Sequence, residues 1–290
     1  MPVLPWFAAE PDLFRFPCPS YGRLIIFRRD TRFGIFCSKF TKEGKSNMNR
    51  VLDLLFPPRC PVCDGISPIG APRCHPECRA LLQPVGADFC MRCGKPLPDS
   101  AAEYCRDCAV REESAFERGV SAFVYEGAIR DSMVRFKFFG REEYAEWYAG
   151  ELLASRGEML RQFGADAIVP VPVHRRKMLR RGYNQAECIA RTLAEELDVP
   201  MYACYLRRNR FTVPQKKLSN HERVRNLMRA LEPGRQAARL KEQQKTPRRV
   251  ILVDDIYTTG STMEACAAVL KATGTEHVMA ATICIGSGYT

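Results

Sequence analysis

The pattern of hydrophobic and polar positions in the second half of the chain alternates between strand-like and helix-like segments. Short apolar runs are typical of strands that are buried on both faces, and they are DAIV at 166–169, PMYACYL at 200–206, RVILV at 249–253 and HVMAATICI at 277–285. Apolar residues recur at helical spacing between Ala186 and Leu197, and a second helix is predicted over about 262–272. This alternation predicts an α/β fold with a parallel sheet.

The pattern divides the chain into three parts. Residues 1–47 have no clear periodicity and end in the polar run SKFTKEGKSN, so we expect a disordered extension there. Residues 48–110 are rich in Cys, Pro and Gly and predict a small metal-binding module that should melt before the rest of the protein when metal is removed. Residues 111–290, which begin near the strand-like GVSAFVYEG, predict the α/β domain.

Composition narrows the class of protein. A hydrophobic content of 46% and a charged content of 27% describe an ordinary globular protein. The sequence has no run of about 18 apolar residues, so we expect no membrane span. Prolines and acids interrupt the N-terminus, which therefore does not resemble a secretory signal, and we expect a cytoplasmic protein.

The net charge of +11 is concentrated in one segment. Residues 171–250 contain 20 lysines and arginines against 7 aspartates and glutamates, an excess of +13, and the rest of the chain sums to −2. Such a basic surface attracts phosphates, whether on a small molecule or on nucleic acid. A solvated charged face is the alternative interpretation.

Cysteines give the clearest chemical signal, because ten of the 14 precede residue 109. Eight of these form four closely spaced pairs, and they are Cys60 with Cys63, Cys74 with Cys78, Cys90 with Cys93 and Cys105 with Cys108. Two thiolates on a tight turn can hold one side of a tetrahedral Zn²⁺, and a second pair 10–20 residues later completes the site. The spacing predicts about two structural Zn²⁺; buried free thiols are the alternative.

One pair departs from the regular spacing. Three residues separate Cys74 from Cys78, whereas His75 and Cys78 have the regular separation of two. Either Cys74 or His75 can therefore be the fourth ligand of the first site, and the sequence leaves both open.

The stretch VILVDDIYTTGST at 250–262 combines a buried strand, two acids and a loop of small hydroxyl residues. The carboxyl edge of such a sheet is where ligands bind, so Asp254 and Asp255 could accept hydrogen bonds from sugar hydroxyls. The residues from Thr258 to Thr262 offer hydroxyls and backbone N–H groups at a helix N-terminus, which suit a phosphate. A ribose 5-phosphate satisfies both halves, although a simple capped helix would explain a single hydroxyl.

This stretch resembles the phosphoribosyl-pyrophosphate (PRPP) motif of type I phosphoribosyltransferases. More narrowly, the chain resembles the ComF family of competence-related proteins over about residues 51–286. The blocks that carry the resemblance are LFPPRCPVC, CMRCGKPL, YEGAIRDSMVRFKFFG, VPVPVHRRKMLRRGYNQAE and VPQKKLSNHERVRN. The resemblance implies a double zinc ribbon in front of a phosphoribosyltransferase-like sheet with helices on both faces, and a link to DNA uptake.

The resemblance also implies roles for particular residues. Asp254 and Asp255 would bind the ribose hydroxyls of PRPP, and the 5-phosphate would lie on Thr258, Thr259, Gly260, Ser261 and Thr262. Val173 and His174 would form the pyrophosphate loop, and Mg²⁺ would accompany the diphosphate. Arg180 and Arg181 could supply cations. Arg223 and Asn226 are weaker candidates for ligand contacts, in the stretch that takes the place of a mobile loop.

Two classes of function follow. The first is a phosphoribosyltransferase whose acceptor cannot be inferred from the sequence, because base pockets vary among proteins that share the phosphate loop. His174 could serve as its general base, although a lone histidine in a loop more often only hydrogen-bonds. The second is a non-catalytic PRPP-binding adaptor that binds single-stranded DNA or a DNA-uptake protein. A zinc protein that binds nucleic acid and has lost the use of its PRPP site is a weaker third possibility. The basic segment lacks regularly interleaved aromatic residues, which weighs against base stacking.

Overall fold

A computed structural model of the protein describes the strands β1 (Leu13–Pro17) and β2 (Leu24–Arg28) together with residues 57–68, 73–111, 113–210 and 220–287. The chain divides into two compact units, Met1–Pro58 and Arg59–Thr290. In the first unit, β1 pairs with β2 in antiparallel orientation. The other residues of the predicted disordered extension at 1–47 lie outside the described part of the chain.

The centre of the second unit is a four-stranded parallel sheet. Its strands are β3 (Arg118–Val124), β4 (Ala167–Pro170), β7 (Arg249–Tyr257) and β8 (His277–Ile285), in the spatial order β3-β8-β7-β4. A separate antiparallel pair consists of β5 (Leu206–Arg208) and β6 (Leu231–Pro233). The central strands form because continuous apolar runs can bury both faces, and the predicted parallel sheet is confirmed.

The helices of the second unit are α1 (Pro76–Arg79), α2 (Arg106–Ala109), α3 (Gly127–Phe138), α4 (Tyr144–Gln162), α5 (Arg175–Arg181), α6 (Gln185–Leu197), α7 (Asn220–Met228), α8 (Arg235–Glu242) and α9 (Ser261–Ala272). The amphipathic pattern predicted α6 correctly, since Ile189 and Leu193 are fully buried. The helix expected at 262–272 corresponds to α9.

Hydrophobic side chains bury both faces of the sheet, and the cysteine-rich segment contributes to both. One cluster joins residues of α3, α4 and α6 to Cys60, Cys74 and Cys78. The other joins residues of α9 to Cys90, Cys93 and Cys108. The two cysteine sites therefore pack against opposite faces of the sheet. The predicted domain boundary near residue 110 falls inside the single compact unit Arg59–Thr290.

The strand predicted at 200–206 is wrong in most of its length. Met201 makes one isolated parallel bridge to Ile168, and strand β5 begins only at Leu206. Tyr205 is nevertheless fully buried. A short apolar run shows that a segment is buried, but it does not distinguish a ladder of hydrogen bonds from a packed loop.

Candidate functional site

The two acids lie inside the last part of β7 and do not end it. Strand β7 continues through Tyr257, which pairs with Ile285 of β8. Asp255 is buried, with 8% of its surface exposed, and Asp254 is partly buried. The Asp254 carboxylate accepts a hydrogen bond from the backbone N–H of Asp255 at 2.9 Å. Burial and the neighbouring Asp255 carboxylate raise the pKa of Asp254 to about 7.

The loop after β7 is tight and turns directly into α9. Gly260 has a left-handed backbone with φ of 78°, and a Cβ at this position would overlap the Tyr257 hydroxyl. Only glycine meets both demands without strain. The Thr259 and Ser261 hydroxyl oxygens lie 3.0 Å apart. Hydroxyls and free N-terminal amides of α9 are thus gathered beside the acids.

Cations from three other segments surround the acid pair. Lys137, from the last turn of α3, places Nζ 3.0 Å from Oδ2 of Asp255. Lys177 of α5 and Arg208 of β5 interact electrostatically with Asp254, and burial lowers the pKa of both. These residues were missed by the sequence analysis, although Lys137 stands within the block YEGAIRDSMVRFKFFG.

The predicted pyrophosphate loop lies at the same edge of the sheet as the acids. Strand β4 ends at Pro170 beside β7, and the backbone N–H of Val171 donates to the carbonyl of Val253 at 2.8 Å. Val173 and His174 follow, and His174 caps α5 by accepting a bond from the N–H of Arg176 at Nδ1. Burial and the surrounding arginines lower the pKa of His174, so its ring is neutral at pH 7.

The remaining predicted contact residues are distributed differently. Arg181 interacts electrostatically with Asp254 and Asp255, and it donates to Gln185 at 2.8 Å. Arg180 is exposed and lies over the Phe138 ring. Arg223 and Asn226 belong to α7, which packs on α9. Residues 211–219 of the predicted mobile loop lie outside the described residues.

The first metal cluster contains Cys60, Cys63, His75 and Cys78, whose ligand atoms all lie within 4.8 Å of one another. His75 Nδ1 is 3.4 Å from the Cys63 sulfur, while Nε2 lies 3.2 Å from the carbonyl of Ile66. A hydrogen bond from Nε2 to that carbonyl leaves Nδ1 available for metal. Of the two alternatives left open by the sequence, this geometry favours His75 over Cys74, whose sulfur lies outside the group of four.

The second metal cluster contains Cys90, Cys93, Cys105 and Cys108, again within 4.8 Å. The buried Lys95 forms an ion pair with Asp107 at 2.6 Å and adds positive charge near the thiols. Both donor sets, Cys₃His and Cys₄, suit tetrahedral Zn²⁺ and leave no open position, so they fit two structural zinc ions.

Glycines allow the second cluster to lie directly against the sheet. Gly94 has φ of 80°, and a Cβ there would come within 2.6 Å of the Gly119 carbonyl oxygen on β3. The N–H of Gly119 donates to the carbonyl of Arg92 at 2.7 Å. The metal-binding turn is thus bonded to the edge strand of the sheet.

Comparisons with known proteins agree with this architecture. Residues 51–109 match the double zinc ribbon domain, and residues 180–289 match the phosphoribosyl transferase domain. The chain is therefore a double zinc ribbon joined to a phosphoribosyltransferase-like domain. Among the described residues, no helix has both the length and the apolar character needed to cross a membrane.

Curated relatives define the family more closely. The chain is 30% identical to competence protein F of Haemophilus influenzae over 66% of this chain and 81% of that protein. It is 27% identical to competence protein ComFC of Bacillus subtilis over 68% of this chain and 78% of that protein. It is 31% identical to DNA utilization protein YhgH of Salmonella typhimurium over 73% and 89% of the two chains. The chain belongs to the ComF family, as its sequence blocks predicted.

Proposed function

We propose that the β7–α9 loop binds the ribose 5-phosphate part of PRPP, with Mg²⁺, in a protein that acts in the handling of incoming DNA. The observation that carries this proposal is the juxtaposition of Asp254 and Asp255 with the hydroxyl loop that opens α9. A vicinal diol needs acceptors, and a phosphate needs donors and positive charge. The loop offers both within one turn of chain.

The surrounding charges support the same ligand. Lys177 and Arg208 lie at the acid pair, and Arg181 interacts with both carboxylates. A diphosphate would add several negative charges beside these groups, which favours its binding. Carboxylate oxygens also suit Mg²⁺, which would offset the charge of the leaving diphosphate when it is bound.

Calorimetry with ribose 5-phosphate and PRPP tests the proposal. Changing Asp254 and Asp255 together to asparagine should weaken binding at least about tenfold, because an amide is a poorer acceptor than a carboxylate. Changing Glu195 and Glu196 of α6 to glutamine removes two neighbouring exposed acids and serves as the matched control. Equal affinity of the Asp254/Asp255 variant and the parent would exclude this loop as the ribose site.

Catalysis is a further part of the proposal that needs its own assay. The described residues offer His174 near the site, but its Nδ1 is engaged in capping α5. Release of pyrophosphate from PRPP with any member of a panel of nucleobases would support a phosphoribosyltransferase. Tight PRPP binding without release would support an adaptor.

A second candidate function is binding of single-stranded DNA, which the names of the competence and DNA utilization relatives suggest. One observation favours it. Phe138 and Phe139 are 50% and 67% exposed, and the guanidinium groups of Arg180 and Arg181 each lie 5.2 Å from the Phe138 ring. The fold thus brings exposed aromatic rings to the basic segment, whose own sequence has no regularly interleaved aromatic residues.

Oligonucleotide binding followed by fluorescence anisotropy tests this second function. Changing Phe138 and Phe139 to alanine should lower affinity about tenfold or more and leave the salt dependence unchanged, since stacking is not ionic. Changing Arg180 and Arg181 to glutamine should reduce the slope of affinity against salt. Leu81→Ala, which removes an exposed side chain elsewhere, is the control. Binding that no change affects would place any DNA site elsewhere.

A further inference from the structure

The turn that carries the first two cysteine ligands is held by helix α3 at consecutive backbone positions. The carbonyl of Pro61 accepts a hydrogen bond from the Ser132 hydroxyl, and the carbonyl of Val62 accepts one from the Arg135 guanidinium. Both carbonyls lie between Cys60 and Cys63. Since Ser132 is fully buried, its contact excludes water and fixes the distance between turn and helix.

The residue after Cys63 is held by the loop before α4 and by the first residue of α4. The Asp64 carboxylate accepts bonds from Arg141 at 2.7 Å and from the Tyr144 hydroxyl at 2.6 Å. Asp64 has a left-handed backbone with φ of 63°, which is uncommon for a residue with a side chain. The turn is therefore joined by four hydrogen bonds to α3, to α4 and to the loop between them, so its position is tied to that of α3.

The same helix provides the cation at the acid pair. Lys137 follows Arg135 by two residues, and its ammonium lies 3.0 Å from Asp255. The Lys137 and Asp255 side chains are 19% and 11% exposed. Two adjacent carboxylates repel one another, so a counter-charge at a fixed place keeps both available as acceptors.

We propose that Lys137 is a positioning residue for the sugar-diol site and that the metal-bound first cysteine turn holds it in place through α3. This inference rests on the proposed function, because it assigns a role in ribose binding. It goes beyond that function because it gives the zinc ribbon a role in positioning a residue of the ligand site. The first metal cluster then acts on ribose binding although none of its ligands contacts Asp255.

The test compares variants of α3 by calorimetry with ribose 5-phosphate and by zinc analysis. Lys137→Met should weaken binding about tenfold, and Lys137→Arg should restore most of it, because the charge rather than the packing is required. Arg135→Met should weaken binding about threefold or more while zinc content stays at the parent value. Arg130→Met removes an exposed positive charge from the same helix and is the matched control.

Two results would overturn the inference. Lys137→Met binding within twofold of the parent would show that Lys137 does not position the site. Arg135→Met binding as tightly as the parent would show that the cysteine turn does not hold Lys137.

If the parent binds neither ribose 5-phosphate nor PRPP, the proposed function fails, and a measurement without ligand decides the structural link. Thermal melting of Lys137→Met, Asp255→Asn and the double variant measures their coupling. The link between the cysteine turn and Lys137 is supported if the shifts in melting temperature depart from additivity by about 2 °C or more in the parent background and are additive in the Arg135→Met background. Additive shifts in the parent overturn it.

Discussion

Glu264 and Arg111 form an ion pair that joins the helix behind the hydroxyl loop to the segment after the second metal cluster. Their side chains are only 10% and 18% exposed. The Glu264 carboxylate also accepts bonds from the Ser114 hydroxyl at 2.7 Å and the N–H of Ala115 at 2.8 Å. The first turn of α9 is therefore fixed from outside the sheet.

The first prediction concerns the stability that this carboxylate provides. Glu264→Ala should lower the free energy of unfolding by about 2–4 kcal/mol, because it leaves a largely buried guanidinium and an N–H without their acceptor. Denaturant unfolding measures this effect. Glu196→Ala, on the exposed face of α6, should change it by about 0.5 kcal/mol or less. A Glu264→Ala midpoint equal to that of the parent would show that the contact contributes nothing to stability.

The second prediction concerns zinc. The purified chain should contain about two Zn²⁺, and His75→Ala should lower this to about one. Cys74→Ser should retain both ions, because the Cys74 sulfur lies outside the cluster of four. Elemental analysis of both variants under reducing conditions without chelator decides whether His75 or Cys74 is the fourth ligand. Loss of zinc from Cys74→Ser alone would restore Cys74 as the ligand.

Removing zinc should also affect the whole second unit. The sequence suggested a module that melts separately, but its cysteines belong to the two hydrophobic clusters of the sheet. Chelation should therefore lower the melting temperature of residues 59–290 in one cooperative transition. Calorimetry that shows an early separate transition, with the α/β part melting at its original temperature, would contradict this expectation.

The sequence was most informative where the signal is local. The run HVMAATICI coincides with β8, and the acids and hydroxyls of 254–262 lie together because they are neighbours in the chain. Contacts between distant segments could not be predicted in this way. Lys137 meets Asp255 only because α3 packs beside the sheet, and no periodicity records that contact. The choice of His75 likewise depends on the turn before α1, where its backbone is extended.

The third prediction concerns the loop backbone. Gly260→Ala should destabilise the protein by about 1–3 kcal/mol, because its Cβ overlaps the Tyr257 hydroxyl and φ is left-handed. Adding Tyr257→Phe should recover part of the loss, since the hydroxyl is the nearest atom. Denaturant unfolding of both single variants and the double variant measures the coupling. If the changes in unfolding free energy of the two single variants simply add in the double variant, the loop relaxes away from Tyr257.

A fourth prediction follows from the raised pKa of Asp254, which is about 7 because of burial and the charge of Asp255. Without Mg²⁺, affinity for ribose 5-phosphate should rise up to roughly tenfold per pH unit as pH increases towards 7 and then level off, since the ionised carboxylate is the better acceptor. The ligand phosphate itself titrates near pH 6, so inorganic phosphate, which has no diol, is the control ligand.

The same pKa sets the sign of a stability change. A folded-state pKa above the unfolded value means that the folded protein holds a proton that the unfolded chain has lost between about pH 4 and 7. Stability contributed by this group therefore falls as pH rises through that window. Asp254→Asn should raise the free energy of unfolding relative to the parent at pH 8 and have little effect near pH 4, as measured by denaturant unfolding. If Asp254→Asn is instead less stable than the parent at pH 8, the attraction of Lys177 and Arg208 for the Asp254 carboxylate outweighs the cost of burying its charge.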